Sequence, residues 1–569
     1  MKISVGIDLG TTFSVAAHVN EFGQAEEIVD QARRNAPSIP SVVYYQNENT
    51  VLIGEAALAE MEAYPDKVIR SAKRFMNEVF KRPAEVPQTE TPVTFSAKVL
   101  GAIKQYVEEH ENGYEIENAV ITVPAYFDAM QINLTKDAAA IYYCANAAPE
   151  NKKFLVYDLG GGTFDVVVID YRINDDGVAE IATLAQDGNH QLGGDDWDRR
   201  LMAFLLNKAR ETDPSVPSKL EEMDPHERQK LWEKANAAKL ALSRNPQKDV
   251  TITVNSDNFE IPVTVEDFER ETKVYLDETG ERVDKVLRDC KLTEDDIDLV
   301  LLVGGSTYMP MVQNYVREKF GADKVKFNNP NLAVAYGAAI YAKNLDKYKE
   351  KKEETERREA EKEGDEPWII KPSTKGELTD GPTPPMIIFS APRSIGVRSL
   401  VGDDLYVTNM IFLGEPVKVG ETIESEKIFS CKQDGRFEVP FYSNLRRERF
   451  AGVAADYRTA EDYVNANSDA LIKVIYDTAA ISDENAYVSD RSADSLSYMA
   501  SLYFEEDKIK ENDPVRVTIR YSQDGADATV EHIPTGTIKE CELINNNTLT
   551  QAEIESEKTK QAATTLERV

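Results

Sequence analysis

Cysteine is scarce in this sequence. Four stand in 569 residues, Cys144, Cys290, Cys431 and Cys541, and none shares a Cys-x-x-Cys spacing. That scatter argues against a zinc knuckle or a dithiol redox centre. Reduced thiols in a cytoplasmic setting are the expectation. Long apolar runs are missing too: nothing reaches the roughly 18 consecutive apolar residues of a spanning helix. Met1-Lys2-Ile3-Ser4 leads straight into a strand pattern, not into a secretory signal. Positive charge is in deficit, with 66 Lys and Arg against 100 Asp and Glu, a formal −34. Nucleic acid and anionic membranes need a basic footprint, so neither is an expected partner. The balance favours solubility and tolerates a sticky peptide-binding surface. What is present, 41% hydrophobic and 29% charged residues, suits a globular protein. The length allows three or four domains, or two large ones.

The stretch that organises the rest is Val5-Gly6-Ile7-Asp8-Leu9-Gly10-Thr11-Thr12-Phe13-Ser14. It reads as a doubly buried strand, a tight turn and a polar return. Asp8 falls where the strand runs out. Gly10 permits the sharp turn, and Thr11 and Thr12 offer clustered donors that suit an anion. Alone, such a turn is as readily a plain hairpin. The pattern recurs in residues 154–169, where Asp158 precedes Gly160-Gly161-Gly162-Thr163 and a second strand containing Asp165. Two such elements suggest duplicated lobes facing one phosphate chain. A third stretch, Leu299 to Thr307, is a strand ending in Gly304-Gly305-Ser306, where backbone could lie flat against a base or sugar.

With "GIDLGTTFS", "VITVPAYFD", "VYDLGGGTFDVVV", "LGGDDWDRRL" and "VLLVGGSTYMPMVQ", the chain resembles the Hsp70 (DnaK) chaperones of the actin-like ATPase superfamily. The resemblance is close over residues 1–345 and fainter over 386–543. It implies an α/β actin-like (ribonuclease H-like) two-lobed ATPase domain followed by an antiparallel β-sandwich. Lobe I would take residues 1–150 plus the closing helix, and lobe II residues 151–328. Residues 346–385 read as a charged helical spacer and a proline-rich linker. Residues 544–569 read as a short polar tail. From 405 to 543 the period-two alternation (Phe437, Val439, Phe441; Val515, Val517, Ile519, Tyr521), with Asp434-Gly435 and Asp524-Gly525 turns, independently indicates antiparallel strands.

By the same resemblance ATP or ADP would sit between the lobes with Mg²⁺. Asp8, Asp158 and Asp165 would hold the ion, largely through water. Gly10, Thr11, Thr12, Phe13, Gly160, Gly161, Gly162 and Thr163 would cradle the phosphates. Lys73, an ordinary solvated lysine on composition alone, matches the family's phosphate-contacting lysine in "IRSAKRFMNE". Gly193, Gly194, Lys239, Ser243, Gly304, Gly305 and Ser306 would contact the rest of the nucleotide. Extended polypeptide clients, a J-domain co-chaperone and a nucleotide exchange factor are the implied partners, in a cytoplasmic stress response.

Several departures temper this. Between Ala138 and Phe154 a strand, a lobe-crossing helix and the family's catalytic glutamate have no room. Hydrolysis is therefore expected to be weak or lost. Asn236 and Leu240 replace a glutamate and an arginine beside the adenosine, and Asn331 an acidic residue. Phe389 and Ile132 stand where an aspartate and an arginine relay signals between domains, whereas Pro124 matches. Residues 450–505 form an insertion, and the 26 residues after Leu543 are too few for the family's helical lid. The alternative reading is a non-hydrolysing, nucleotide-dependent scaffold.

Overall fold

The computed structural model describes the chain except residues 34, 48–49, 76–79, 81, 111, 123–137, 140, 144–150, 174–178, 328, 344–385, 392, 402–403, 419–420, 445, 447–448, 450–457, 477–486, 491–495, 523–524, 544–564 and 568–569. The expectations for Pro124, Ile132 and the 346–385 segment fall outside the described residues.

The first hairpin forms where the sequence places it. β1 (Lys2–Asp8) pairs antiparallel with β2 (Phe13–Val19), which carries β3 (Ala25–Glu27) and, at its start, β4 (Ile39–Pro40). Val5 and Ile7 are buried in the lobe core. A Cβ at Gly6 would strike the backbone of Ala338 and Ala339, so only glycine lets the helix over residues 333–343 lie directly on β1. A small sheet follows: β5 (Val42–Asn47), β6 (Thr50–Ile53) and β7 (Val68–Arg70). The helix Pro92–Glu108 packs nearby, opened by an N-cap at Thr91 with proline at its first position. β8 (Glu115–Thr122) then returns parallel to β1.

The first sheet runs β3-β2-β1-β8, and β8 is its last described strand. The strand expected to be missing has no counterpart among the described residues. The crossing helix differs from expectation. Residues 138–139 and 141–143 are helical, and Ala138, Ala139 and Ile141 are buried with Val120, Phe154, Val156 and Val334. The small side chains explain this: Gly337 meets the Ala138 backbone so closely that a Cβ there has no space.

Lobe II repeats the plan. β9 (Lys152–Leu159) pairs antiparallel with β10 (Phe164–Ile173), and β10 with β11 (Ala179–Asn189). β12 (Gln247–Val254) and β13 (Asp257–Thr264) form a separate hairpin. β14 (Leu299–Val303) is parallel to β9, and β15 (Val325–Lys326) to β14. Helices Gly194–Thr212, Pro225–Leu242, Val265–Asp289 and Pro310–Phe320 pack here around a core holding Trp197, Tyr157, Phe164 and Leu205. β16 (Met386–Ser390), which contains Phe389, joins the outer edge of β11 in parallel.

Beyond it come β17 (Ser394–Val401), β18 (Asp404–Ile411), β19 (Pro416–Lys418), β20 (Ile423–Ser430), β21 (Arg436–Asn444), β22 (Ile472–Tyr476), β23 (Tyr487–Ser489), β24 (Ser497–Glu505), β25 (Pro514–Ser522), β26 (Gly525–His532) and β27 (Thr537–Glu542). β19 pairs with β16. The others make two antiparallel sheets, β23-β22-β18-β17-β21-β24 and β20-β25-β26-β27. Val397, Phe441, Phe504, Val517, Ile519 and Val530 fill one core that draws on both. Residues 450–505, read as an insertion, supply β22, β23 and β24 of the first sheet. Finally β28 (Thr565–Glu567), within the stretch read as a polar tail, lies parallel to β6. No helix among the described residues is long and apolar enough to cross a membrane.

Candidate functional site

Both hairpins end their first strand in an aspartate, and the two turns meet. Asp8 accepts a 3.0 Å hydrogen bond from Thr122 Oγ1, because the parallel register sets Thr122 of β8 beside it. In lobe II the register sets Asp158 directly opposite Asp165. Like charges so placed repel unless a cation lies between or beside them. Lys73 is that cation's nearest protein substitute. It is buried, its ammonium donates to the Leu9 carbonyl, and Asp8, Asp165 and Asp158 all act on it. Burial pushes the Lys73 ammonium down from its ordinary value, and the three carboxylates oppose that push. Burial likewise raises the Asp8 carboxyl, against the pull of Lys73 and the Thr122 bond. One ammonium faces three carboxylates, so the pocket holds an excess of negative charge in a poorly screened place.

The walls are built of close backbone. A Cβ on Gly161 would run into Thr12 Oγ1, and one on Gly162 into Thr11 and the Arg74 stem. Gly193 lies against the Gly162 backbone, and Gly194 N donates to Gly160 O at 3.0 Å. Gly10 is equally constrained, because a Cβ there would meet the Phe13 carbonyl. Ser41 secures the first turn, donating from Oγ to Gly10 O at 2.8 Å. Thr12 Oγ1 is buried without a hydrogen-bond partner. A buried hydroxyl left so costs free energy, which an anionic oxygen would recover.

The floor comes from lobe II. Gly304 takes φ 84° at the end of β14, and a Cβ there would lie 2.6 Å from Asp158 Oδ1. Ser306 Oγ donates to Gly160 O at 2.8 Å. Helix Pro225–Leu242, capped by Asp224, presents Lys239, whose ammonium sits 2.9 Å from Asp198 and 3.0 Å from Gly194 O. Burial raises the Asp198 carboxyl, offset chiefly by Lys239.

A family model described as Hsp70 protein matches residues 4–354, well over half of the chain. The chain belongs to the Hsp70 family. It is a divergent member: it is similar to the chaperone protein DnaK of Thermotoga neapolitana, 38% identical over 363 residues, covering 59% of each chain. The DnaK of Thermosipho melanesiensis is 36% identical over 362 residues, 59% of this chain and 58% of that one. A chaperone protein HscA homolog from a Janthinobacterium species is 35% identical over 381 residues, 60% and 58%. The chain thus aligns with less than two thirds of the length of these curated relatives. Nucleotide binding through an actin-like fold is what Hsp70 membership implies for the N-terminal half.

The structure brings together Asp8, Asp158, Asp165, Lys73, Thr11, Thr12, Gly161, Gly162, Gly193, Gly194, Gly304 and Ser306. Three of the predicted residues are spent elsewhere. Lys239 braces Asp198 and the Gly194 carbonyl, and the Ser243 hydroxyl turns back to Lys239 O at 3.2 Å. Phe13 is half exposed in β2. Sequence reasoning missed the ties between the lobes. Arg74 reaches Gln191 and Asp196 at 3.2 Å, and Ser71, held at φ 54°, donates to Asp195 at 2.6 Å. The only cue was a basic residue after Lys73 and an acidic pair at a helix start, signs too common to assign. Asn236, flagged as a departure, donates to Asp198 at 2.9 Å.

Proposed function

We propose that this Hsp70 family member is a molecular chaperone that binds Mg-ATP between its lobes and extended apolar polypeptide on its C-terminal sheets, taken together as a β-sandwich. One observation carries the reading: three buried carboxylates converge on one lysine within walls of glycine and threonine. Among the described residues no three acidic, His or Cys side chains lie close enough to ligate an ion directly. Mg²⁺ keeps its waters, so Asp8, Asp158 and Asp165 would hold it through them. Bound Mg-ATP supplies a phosphoanhydride whose cleavage changes the charge between the lobes. Thr12 Oγ1 and the turn amides are placed to donate to phosphate oxygens. Lys73 is placed to offset charge on the transferred group. Arg74 and Ser71 hold lobe I against lobe II around it.

The peptide would add by strand-like hydrogen bonding, and its affinity would change with the nucleotide. The pairing of β16 with β11 supports that coupling, since it makes the sheet bearing Asp158 and Asp165 continuous with the C-terminal region. Unfolded polypeptides, a J-domain co-chaperone and an exchange factor, in the cytoplasm, are the proposed setting. Steady-state ATP turnover, with and without a denatured client, is the test. Turnover that rises with client is expected. Tight Mg-ATP binding with no turnover would overturn the hydrolytic switch and leave the scaffold.

A further inference from the structure

The small sheet of lobe I has an unguarded edge. β6 reads Thr50-Val51-Leu52-Ile53: three of the four are β-branched, and none is charged or proline. Exposed edges of natural sheets are usually blunted by lysine, proline or a bulge, because bare ones recruit other strands. The register irregularity in this hairpin lies toward β5, between Tyr45 and Asn47, and does nothing for the outer side. What covers the outer side is β28. Thr565 pairs with Thr50, Leu566 with Val51 and Glu567 with Leu52, in parallel. Helix Pro92–Glu108 lies close to both strands. The segment is more than 500 residues from β6 in sequence, and its Thr564-Thr565-Leu566 run has the β-propensity a docking strand needs.

We propose that the outer edge of β6 is a strand-acceptor site and that its occupant is this chain's own Thr565–Glu567 segment. The main-chain ladder supplies the recognition, so the site takes an extended backbone rather than a particular side chain. Its place in the lobe gives it consequence. The opposite edge of the same sheet is β7, which runs through Ser71 directly into Lys73. Docking therefore adds a strand to the sheet that delivers the buried lysine.

The test is amide hydrogen exchange on the full-length chain, comparing wild type with the double variant Thr565→Pro, Leu566→Pro. In a parallel pair alternate residues bond to a given neighbour, so one of two consecutive prolines must remove a donor facing β6. β5 protects only its own side of β6. The expected result is that Val51–Ile53 amides facing β28 exchange at least tenfold faster in the variant. Amides of β9 in lobe II should be unchanged, which shows that the variant is folded. Equal protection of β6 in both proteins would overturn the proposal. Protection in wild type that grows with protein concentration would also overturn it, because the occupant would then be another copy. Neither readout depends on nucleotide, so the result stands apart from the fate of the Mg-ATP reading.

Discussion

The two lobes share a three-strand unit and differ in what lies beyond it. In each, an aspartate-ended strand is flanked by an antiparallel partner and a parallel one: β1 between β2 and β8, β9 between β10 and β14. Lobe II continues through β15 on one side and β11, β16 and β19 on the other. Lobe I stops at β8 among the described strands, and its second small sheet is extended by β28. The shared unit is what aims the carboxylates, since Asp8, Asp158 and Asp165 all sit on it. The outer strands set how firmly each lobe is held. A site of this kind can thus keep its geometry while one of its lobes loses an edge.

The sharpest way to break the comparison is through the cores. Trp197 is fully buried in lobe II, and Phe95 is its large buried counterpart in lobe I. Truncating either to alanine should cost about 3–5 kcal/mol. If the smaller lobe is the weaker unit, Phe95→Ala should produce a separate early unfolding step in denaturant, whereas Trp197→Ala should shift the main transition. One coincident transition in both variants would show that the lobes unfold together.

Next comes the symmetry of the site. Asp8→Asn and Asp158→Asn remove one carboxylate from each lobe. Each should abolish the Mg-ATP-dependent thermal shift, a stabilisation of about 2.7 kcal/mol when ligand stands at a hundredfold its Kd. An unchanged shift in only one variant would assign the ion to the other lobe. A smaller effect is expected from Arg74→Ala, which strands Asp196 with its remaining bond from Gly193 N at 2.8 Å. Burial already raises that carboxyl, and Arg74 is its chief offset. The loss should be about 1–3 kcal/mol, with faster exchange across the lobe contact and intact lobe cores.

Much of this was legible because backbone geometry leaves a strong mark. An apolar run, an aspartate and then glycine fixes a strand end and a turn at Asp8 and again at Asp158, and both lie where they were read. Period-two alternation likewise marked β21 and β25. Less legible were contacts between segments distant in sequence. Nothing near Arg74 specifies Asp196, and nothing near Thr565 specifies Thr50, because a charge or a threonine is compatible with many partners. The alanine run after residue 137 was ambiguous for the same reason: small residues fit any close helix contact. Only packing against Gly337 and Val120 decided it.

The finest test of the lobe difference uses protons. His18, in β2 of lobe I, is buried; its Nε2 lies 3.1 Å from Glu26 Oε1 and its ring 5.2 Å from that of Tyr114. The matching hairpin of lobe II, β10 and β11, has no histidine. Burial lowers the His18 pKa below its ordinary 6.5; Glu26 opposes this, and His110 and Lys343 reinforce it. A lowered folded-state pKa means the unfolded chain takes the proton first. Stability is therefore whole above the unfolded value and falls as pH drops through the folded one. Each pKa unit corresponds to about 1.4 kcal/mol, so the loss between about pH 7.5 and pH 5.5 should be on the order of 1 kcal/mol or below. Denaturation midpoints of wild type and His18→Gln over that range read it out, since other groups cancel between them. Acid should also speed amide exchange in β2 more than in β10. If His18→Gln shows the same pH slope as wild type, the imidazole stays charged against Glu26 and lobe I carries no acid-sensitive strand.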